Sequence, residues 1–280
     1  KGARTLMPSC TMPAAEGMEV TTSNEKIDSA RKFVLSMIFS ERNHFCPFCQ
    51  VSGGDCELQN SAYEQEMTHW MIQPNWTTFN VDASHPFFTH EANRCILCRR
   101  CLRSCEELVG NNTIGVEQRG ASSLIMADLG VPFGESSCVS CGTCVQMCPT
   151  GAMMDNRAAY LGLEKESETI RSICTQCSIG CGVEVQIRDN NIIKINADFE
   201  NDSCHGAICK NGRWVKLYEF DDAEMVSSPK IRKNGELVET TWEEAMAFAA
   251  SAIKKAGSNF SAVAATGLSA ESLFGLKALF

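Results

Sequence analysis

The sequence predicts an α+β chain of small cysteine-rich domains in series, leading into an incomplete α/β segment. Three observations support this fold class. The 280 residues include 17 cysteines, which fall into groups along the chain. Two of these groups share one spacing, and another is followed by an alternating pattern typical of a β-hairpin. Two further segments have the capping residues and apolar spacing of amphipathic helices.

The doubled run C-x2-C-x2-C-x3-C carries the strongest chemical signal. Its members are Cys95, Cys98, Cys101 and Cys105, then Cys138, Cys141, Cys144 and Cys148, with Pro149 closing the second copy. In the bacterial ferredoxin pattern, three thiolates of each run hold one 4Fe–4S cluster and the fourth thiolate ligates the other cluster. The predicted ligand sets are therefore Cys95, Cys98, Cys101 and Cys148, and Cys138, Cys141, Cys144 and Cys105. Zinc is the alternative, but structural zinc takes two close cysteine pairs set far apart.

A histidine accompanies the cysteines of the string NHFCPFCQVSGGDCELQ, where the candidate ligands are His44, Cys46, Cys49 and Cys56. Three thiolates and one imidazole suit zinc, and they also suit a 4Fe–4S cluster. The neighbouring ferredoxin runs favour the cluster. An imidazole in place of a thiolate is expected to raise the cluster's reduction potential, as in Rieske centres. The other histidines that could in principle be the ligand are His69, His85 and His90.

The last cysteine group combines a close trio with a distant fourth member. The trio is Cys174, Cys177 and Cys181, and the distant candidates are Cys204 and Cys209. Between them, residues 183–187 and 192–195 alternate apolar and polar side chains around the turn formers Asp189, Asn190 and Asn191. This hairpin brings the distant cysteine back to the trio, so the sequence predicts one more 4Fe–4S cluster there.

A helix is predicted before the histidine-containing group. Thr22 and Glu25 have the spacing of a capping box. The residues that follow place apolar side chains on one face of a helix over residues 25–40, and that face is predicted to be core.

The C-terminal residues predict an incomplete α/β segment. Thr241 and Glu244 form a second capping box, and Gly257 ends the helix that the box opens. A strand over residues 262–266 and a helix capped by Ser269 follow. One strand and two helices cannot bury their apolar faces alone, so further strands or a partner are expected to cover them.

Composition and charge argue against several classes of function. The formal charge of -9 makes nucleic acid an unexpected partner. The longest apolar stretch is far short of the roughly 20 residues of a membrane span. An odd cysteine count in a chain of this length argues against a disulfide scaffold. Neither G-x-G-x-x-G nor a P-loop is present, so flavin and pyridine nucleotide are expected on a partner.

Basic side chains surround the first ferredoxin run, namely Arg94, Arg99, Arg100 and Arg103. Their positive charge would offset the charge of a cluster and help to set its potential. A solvated basic face is an equally good interpretation of the same residues.

Taken together, the motifs resemble one family over essentially the whole chain. They are GARTLMPSC, NHFCPFCQVSGGDCELQ, RCILCRRCLRSC with SCVSCGTCVQMCPTGA, and CTQCSIGC with CKNGRW. This order resembles the iron–sulfur subunits of respiratory complex I, NAD-linked formate dehydrogenases, iron-only hydrogenases and NAD-coupled nickel–iron hydrogenases. The short His-x-Cys form is most similar to the diaphorase iron–sulfur subunit of NAD-coupled hydrogenases and to some formate dehydrogenases.

The resemblance implies ligands that spacing alone leaves open. It implies that Cys10 is the fourth ligand of a plant-type 2Fe–2S domain whose other cysteines precede Lys1. It favours Cys209 over Cys204 in the last cluster. It places Lys210 where molybdopterin-dependent formate dehydrogenases have a lysine between cluster and pterin. The implied domains are 1–24 (2Fe–2S remnant), 25–84 (4Fe–4S cluster with one histidine and three cysteines), 85–160 (double 4Fe–4S ferredoxin), 168–220 (4Fe–4S cluster with four cysteines) and 221–280 (incomplete α/β segment).

The resemblance implies an electron-relay subunit of a cytoplasmic, multisubunit NAD(P)-linked oxidoreductase of hydrogenase type, with electron bifurcation as a variant. The alternative is the N-terminal part of a molybdopterin-dependent formate dehydrogenase, and a zinc-rich adaptor is a third hypothesis. Four 4Fe–4S clusters are expected, plus a 2Fe–2S cluster if upstream residues exist, with no molybdopterin, FMN or NAD on this chain and no catalytic residue. The expected partners are a flavin/NAD(P)-binding iron–sulfur subunit, a thioredoxin-like 2Fe–2S subunit and a catalytic hydrogenase or formate dehydrogenase subunit.

Overall fold

Short helices and strands alternate along the computed structural model, which describes residues 5–10, 12–215, 227–265 and 268–279. The helices are α1 (Glu25–Glu41), α2 (Glu57–Glu64), α3 (Arg100–Arg103), α4 (Thr143–Met147), α5 (Trp242–Ala256) and α6 (Ala270–Leu279). The strands are β1 (Val81–Asp82), β2 (Phe88–Glu91), β3 (Ile114–Glu117), β4 (Leu124–Ala127), β5 (Met153–Asp155), β6 (Glu168–Ile173), β7 (Gly182–Arg188), β8 (Asn191–Ala197), β9 (Lys230–Lys233) and β10 (Glu236–Glu239). The predicted mixture of helices and small sheets is confirmed.

The described strands pair in small antiparallel sheets, with the orders β1-β2-β5, β3-β4, β6-β7-β8 and β9-β10. In the first sheet, β2 pairs with β5, so that Phe88 lies opposite Asp155 and His90 lies opposite Met153. Strand β2 precedes the first cysteine run and β5 follows the second. This one ladder therefore brings the two runs together.

Two hydrophobic cores position the cysteines. The first surrounds the ferredoxin runs and includes Phe88, Ile125, Phe133, Met153 and Trp214, together with the buried Cys95, Cys101 and Cys144. The second lies against β7 and β8 and includes Val183, Val185, Ile195, Ala197, Cys204 and Ile208. Each core is small, so the cysteine loops at its edge lie close to the packed side chains.

Helix α1 begins at a different cap from the predicted one. The side chain of Asn24 accepts a hydrogen bond of 2.9 Å from the Ile27 amide, so Asn24 is the N-cap and the predicted Thr22 box is wrong. Asparagine is as good an N-cap as threonine, and Asn24 stands directly before the first helical residue. The predicted apolar core face is also wrong, because Val34 and Met37 are 49% and 42% exposed.

Small polar residues form the buried face of α1 instead. Ser36 and Ser40 are its buried residues. The Ser36 hydroxyl accepts a hydrogen bond from the Met71 amide, the Ser40 carbonyl accepts one from the Asn75 amide at 3.0 Å, and the Phe39 carbonyl accepts one from the Trp76 indole. A segment of chain that returns along α1 therefore covers this face.

The predicted hairpin is confirmed as β7 and β8, which pair from Val183 opposite Ala197 to Arg188 opposite Asn191, with a register shift between Gln186 and Ile187. The turn residues Asp189 and Asn190 have φ values of 50° and 61°, which is the left-handed pair that a tight hairpin turn needs. Strand β6 adds a third strand to this sheet, and it was not predicted from the sequence. Its side chains are exposed on both faces, so its sequence has no buried alternation to reveal it.

The C-terminal segment matches the prediction in part. Helix α5 is confirmed with Thr241 as its N-cap, accepting a hydrogen bond from the Glu244 amide, and with Gly257 at its end. Helix α6 follows Ser269, whose hydroxyl accepts from the Ser272 amide. The predicted strand is wrong over residues 262–265, which are irregular, because no described strand pairs with them. Residue 266 of that strand, residues 1–4 and residues 216–226 lie outside the described residues. No described helix is long and apolar enough to cross a bilayer.

Candidate iron–sulfur cluster sites

The first ferredoxin site is a cavity lined by cysteines from both runs. Its lining includes Cys95, Cys98, Cys101 and Cys148. The structure therefore brings Cys148 to the three leading cysteines of the other run, which is the grouping that the crossover predicts. Strands β2 and β5 cause this arrangement, because their pairing carries the chain after Cys148 back past the first run.

Burial in this site strongly disfavours bare thiolates. Loss of solvent raises the pKa of Cys95 to about 11 and raises that of Cys101 further, with neighbouring thiols such as Cys148 adding to the effect at Cys101. Cations that bind sulfur reverse this preference, because a coordinated thiol loses its proton. The site is therefore suited to hold sulfur ligands around iron.

The second ferredoxin site groups Cys105 with the leading cysteines of the second run. Burial raises the pKa of Cys138, and the nearby thiols of Cys141 and Cys105 raise it as well. Burial raises the pKa of Cys144 well above its ordinary value. The nearby thiols raise it as well, in the order Cys141, Cys101, Cys138 and Cys105. The predicted set is thus gathered in one place, with Cys101 of the first site adjacent.

Backbone amides are turned toward thiols at equivalent positions of the two runs. The Leu97 amide donates to Cys95 Sγ at 3.3 Å, and the Ser140 amide donates to Cys138 Sγ at 3.4 Å. Leu97 and Ser140 both have left-handed backbones, with φ of 54° and 58°. Hydrogen bonds to sulfur are one of the factors that set cluster potentials. Spacing did not reveal these residues, because neither leucine nor serine marks a left-handed position in a sequence.

The site that contains His44, called the histidine site below, is a second cavity, whose lining also includes Cys46, Cys49 and Cys56. Among the described residues, His44 Nε2 is buried and has no hydrogen-bond partner, and the ring packs edge-on against Phe39 with centroids 5.6 Å apart. Burial, and then the charges of two nearby arginines, Arg42 and Arg94, lower the pKa of His44 to about 4. The imidazole is therefore neutral near pH 7, and its free lone pair suits a metal ligand.

Gly151 allows the ferredoxin region to approach the histidine site closely. A Cβ atom at Gly151 would lie 2.3 Å from Cys49 Sγ, which no side chain can tolerate without a shift. Gly151 and Thr150 belong to the lining of this second cavity, and Thr150 also lines the first ferredoxin cavity. Neither residue was predicted from the sequence, and only the tightness of the Cys-Pro-Thr-Gly turn could have suggested them.

The basic residues near the first run fall into two classes. Arg94 is buried beside the histidine site, where its guanidinium donates to the carbonyl oxygens of Phe45 and Phe48. Arg99 lines the first ferredoxin cavity. Arg100 and Arg103 instead form exposed ion pairs with Glu57 and Glu107, which contribute little stability.

Arg42 is a buried cation that the sequence patterns did not reveal. It donates to the Ala92 carbonyl at 2.7 Å and to the Ser123 carbonyl, and its guanidinium lies 4.4 Å from the centre of the Phe79 ring. These contacts place a positive charge near His44. The interior position of Arg42 follows from long-range packing, which no local pattern indicates.

The last site gathers five cysteines. Burial raises the pKa of Cys181, and the thiols of Cys204, Cys174, Cys177 and Cys209 add to the effect, so both candidates for the fourth ligand lie near. Cys204 is buried, and its Sγ lies 3.5 Å from the carbonyl oxygens of Gly182 and Asp198, to which a protonated thiol donates. Cys209 is exposed and begins the chain that leads to the turn Asn211–Val215.

The remaining candidates are mostly exposed. Cys10 lies in an N-terminal segment in which the described residues form no helix or strand. Lys210 is exposed directly after Cys209. His69 is exposed, whereas His85 and His90 are buried, and His85 Nε2 lies 3.2 Å from the Ser140 hydroxyl.

The described side chains fit clusters better than single ions. Among them, no group of three or more His, Cys, Asp or Glu residues converges to hold one metal ion. In a 4Fe–4S cluster each thiolate binds a different iron, so the ligands surround a larger body and stay further apart. A cavity lined by four thiols, and another lined by three thiols and the unpartnered His44 nitrogen, fit that requirement.

Consecutive family models match the chain. The NADH-ubiquinone oxidoreductase-G iron–sulfur binding region matches residues 31–70, and the ferredoxin-like domain of NADH-quinone oxidoreductase subunit 3 matches residues 85–154. The molybdopterin oxidoreductase Fe4S4 domain matches residues 167–217, and the molybdopterin oxidoreductase model matches residues 226–280. The fold and these sites define an iron–sulfur protein with 4Fe–4S-binding domains.

A hydrogenase of known structure and several named formate dehydrogenases are similar to this chain. A crystal structure of an NAD+-reducing NiFe-hydrogenase in the H2-reduced state is 33% identical, with a TM-score of 0.53, covering 56% of this chain and 67% of that one. Provisionally named formate dehydrogenases of Staphylococcus aureus strains USA300 and NCTC 8325 are 28% identical over 276 residues, covering 85% of this chain. The chain belongs to the iron–sulfur subunit family shared by NAD-linked hydrogenases, NAD-linked formate dehydrogenase alpha subunits and the large iron–sulfur subunit of complex I. It spans 28% of the length of those curated relatives.

Proposed function

We propose that this chain is an electron relay that holds four 4Fe–4S clusters in series. The observation that carries the proposal is the first ferredoxin cavity, where Cys148 joins Cys95, Cys98 and Cys101. Two cysteine runs that exchange their fourth members are the arrangement of a two-cluster ferredoxin. Cys138, Cys141, Cys144 and Cys105 hold the second cluster in this proposal.

The other two clusters have the remaining ligand sets. One is held by His44, Cys46, Cys49 and Cys56, and the other by Cys174, Cys177, Cys181 and Cys209. Cys204 is left as a spare thiol, and its contacts with the carbonyl oxygens of Gly182 and Asp198 support this. We also assign Cys10 to a plant-type 2Fe–2S site and divide the chain into domains at 1–24, 25–84, 85–160, 168–220 and 221–280.

Each bound cluster would supply a one-electron carrier whose potential depends on ligands, hydrogen bonds and burial. The chain's own residues supply these controls. The Leu97 and Ser140 amides donate to sulfur, and Arg94 adds buried positive charge beside the histidine site. Positive charge favours the reduced and more negative form of a cluster.

We assign the relay to a cytoplasmic, NAD(P)-linked complex of hydrogenase type. The similarity to an NAD+-reducing hydrogenase structure supports this assignment. Flavin and nucleotide then bind a partner iron–sulfur subunit, which a thioredoxin-like 2Fe–2S subunit accompanies, and a catalytic subunit binds the second substrate. An electron-bifurcating form of the complex would reduce two acceptors together, which an assay with both acceptors tests.

A second candidate is the electron-transfer part of a molybdopterin-dependent formate dehydrogenase. The match of residues 226–280 to the molybdopterin oxidoreductase model favours it, as does the similarity to provisionally named formate dehydrogenases. Lys210 would then lie between the last cluster and the pterin. Molybdenum and formate oxidation in the intact gene product would support this candidate, whereas hydrogen turnover with a partner subunit would support the first.

Metal and sulfide analysis tests the relay itself. Four 4Fe–4S clusters require about 16 iron atoms and as many acid-labile sulfides per chain. About four metal atoms per chain, mainly zinc, would contradict the proposal. The loaded chain alone is expected to be reduced by dithionite without turning over hydrogen, formate or NAD(P)H, and partner subunits are expected to restore turnover.

A further inference from the structure

The turn Asn211–Val215 connects two cluster sites through consecutive side chains. It follows Cys209 of the last site, yet Trp214 lies in the hydrophobic core of the ferredoxin region, where it is 1% exposed. The Trp214 ring stacks on Phe87 with centroids 5.4 Å apart, and its Nε1 donates to the Ser140 carbonyl at 2.7 Å. Ser140 belongs to the cysteine loop of the second ferredoxin site.

Arg213 attaches the same turn to that loop. It is 2% exposed, and its Nε donates to the Cys141 carbonyl at 2.7 Å, while Nη2 donates to Gln146 Oε1 at 2.9 Å. Gln146 lies in α4 and exchanges hydrogen bonds of 2.8 and 3.0 Å with the backbone of Ala197 in β8. The Arg213 guanidinium therefore contacts both the loop of Cys141 and helix α4, and Gln146 of α4 in turn contacts strand β8 of the domain that contains the last cluster site.

Glycines allow close contact on both sides of the turn. A Cβ at Gly212 would lie 3.0 Å from Cys174 Sγ, a proposed ligand of the last cluster. A Cβ at Gly142, in the second ferredoxin loop, would lie 2.3 Å from Arg213 Cδ and 2.4 Å from Trp214 Cζ2. Gly142 also has a φ of 73°, which favours glycine.

We propose that Gly212, Arg213 and Trp214 form a joint that fixes the last cluster site against the second ferredoxin site and connects the two for electron transfer. This inference rests on the proposed ligation of both sites. Electron tunnelling is faster through covalent and hydrogen bonds than across gaps. The path from Cys174 Sγ crosses the space beside Gly212, where an added Cβ would lie 3.0 Å from the sulfur, then follows the chain to Arg213 and one hydrogen bond to the Cys141 carbonyl.

The buried guanidinium also has an electrostatic effect. A fixed positive charge beside the Cys141 carbonyl stabilises the reduced form of a cluster on that loop more than its oxidised form. Arg213 is therefore a positioning residue that also raises a potential. If the two side chains do not connect the sites, their replacement leaves the magnetic coupling between the two clusters unchanged.

The test uses the full cluster-loaded chain and the variants Arg213→Met, Arg213→Lys and Trp214→Phe. The matched controls are Arg171→Met, at an exposed arginine paired with Glu200, and Trp242→Phe, at an exposed tryptophan. Iron content, midpoint potentials and magnetic coupling between the two reduced clusters are measured by chemical analysis and electron paramagnetic resonance. If either of the two cluster signals is missing from the wild-type chain, that result contradicts the proposed function rather than the joint.

Arg213→Met is expected to keep its iron, lower the potential of the second ferredoxin cluster and weaken the coupling. Arg213→Lys is expected to recover the potential but not the coupling, because its single ammonium cannot reproduce the forked contacts. Trp214→Phe loses the hydrogen bond to Ser140 and the part of the ring that lies beside Gly142, and it is expected to weaken the coupling with the potential nearly unchanged. If the Met and Phe variants keep iron, potentials and coupling equal to those of the controls, the joint is refuted.

Discussion

Thr150 Oγ1 donates a hydrogen bond of 2.7 Å to the carbonyl oxygen of Arg94, and this bond lies between two cluster cavities. Thr150 lines both the first ferredoxin cavity and the cavity of the histidine site. The buried hydroxyl therefore joins the start of one cysteine run to the end of the other at the point where the two sites meet.

Thr150→Val is expected to destabilise the loaded protein by about 1–3 kcal/mol, because it leaves the buried Arg94 carbonyl without its donor. Denaturant unfolding monitored by cluster absorbance measures the change. Thr22→Val is the control, since Thr22 is exposed. Equal stability of the two variants would show that the hydrogen bond contributes nothing.

Cys148→Ser is expected to remove or convert the cluster of Cys95, Cys98 and Cys101, with a loss of up to about four iron atoms per chain. This loss is expected because Cys148 lines the same cavity as those three cysteines. Electron paramagnetic resonance of the reduced variant identifies which signal is lost. Loss of the cluster beside Cys138, with the other intact, would overturn the crossover.

His44→Cys is expected to keep its cluster and lower its potential, because a charged thiolate replaces a neutral imidazole. His44→Ala is expected to lose up to about four irons. Redox titration and iron analysis measure both effects, and His69→Ala, at an exposed histidine, is the control. An unchanged spectrum and potential in His44→Ala would mean that another residue is the ligand.

Cys209→Ser and Cys204→Ser are expected to differ sharply. The first removes a proposed ligand and is expected to lose the last cluster. The second replaces a buried thiol that contacts the Gly182 and Asp198 carbonyls, and a serine hydroxyl can donate to the same oxygens. Iron content decides between them, and cluster loss in Cys204→Ser alone would reverse the assignment.

Acidification is expected to destabilise the fold through His90. Burial lowers the pKa of His90 to about 4, although the carboxylates of Asp82 and Glu91 oppose this effect and Arg42 adds to it. In the unfolded chain His90 binds a proton below about pH 6.5, whereas in the folded chain it stays neutral down to about pH 4. The free energy of unfolding therefore falls as the pH decreases from about 6.5 to about 4. The loss is up to about 3 kcal/mol.

Unfolding free energies at several pH values between 5 and 8 test this expectation. His90→Phe is expected to have a shallower dependence on pH than the wild type. His69→Phe, at an exposed histidine, serves as the comparison. Parallel pH profiles for wild type and His90→Phe would remove His90 as the cause.

Cysteine spacing grouped the side chains that line the first ferredoxin cavity and the cavity of the histidine site, and their roles as ligands stay predictions. The sequence also predicted the hairpin of β7 and β8 and the N-cap at Thr241, because local turn and capping residues determine both. Asn24 was missed because Thr22 and Asn24 are both competent N-caps, and in the structure it is the Asn24 side chain that accepts from the Ile27 amide.

Long-range packing accounts for the features that the sequence did not reveal. Arg42 and Trp214 are buried by segments far away in the chain, and no local pattern marks such positions. The predicted strand failed over its described residues, 262–265, for a related reason. A strand needs a neighbour for its backbone hydrogen bonds, and none of the described strands supplies one.

The burial of Cys144 has a consequence for the maturation of the protein. Burial in the ferredoxin core raises the pKa of this thiol well above its ordinary value, and the packed side chains around it keep the sulfur out of contact with solvent. Exposed Cys98 remains accessible at the edge of the neighbouring site. An iron donor can therefore reach Cys144 only while the core around it is open.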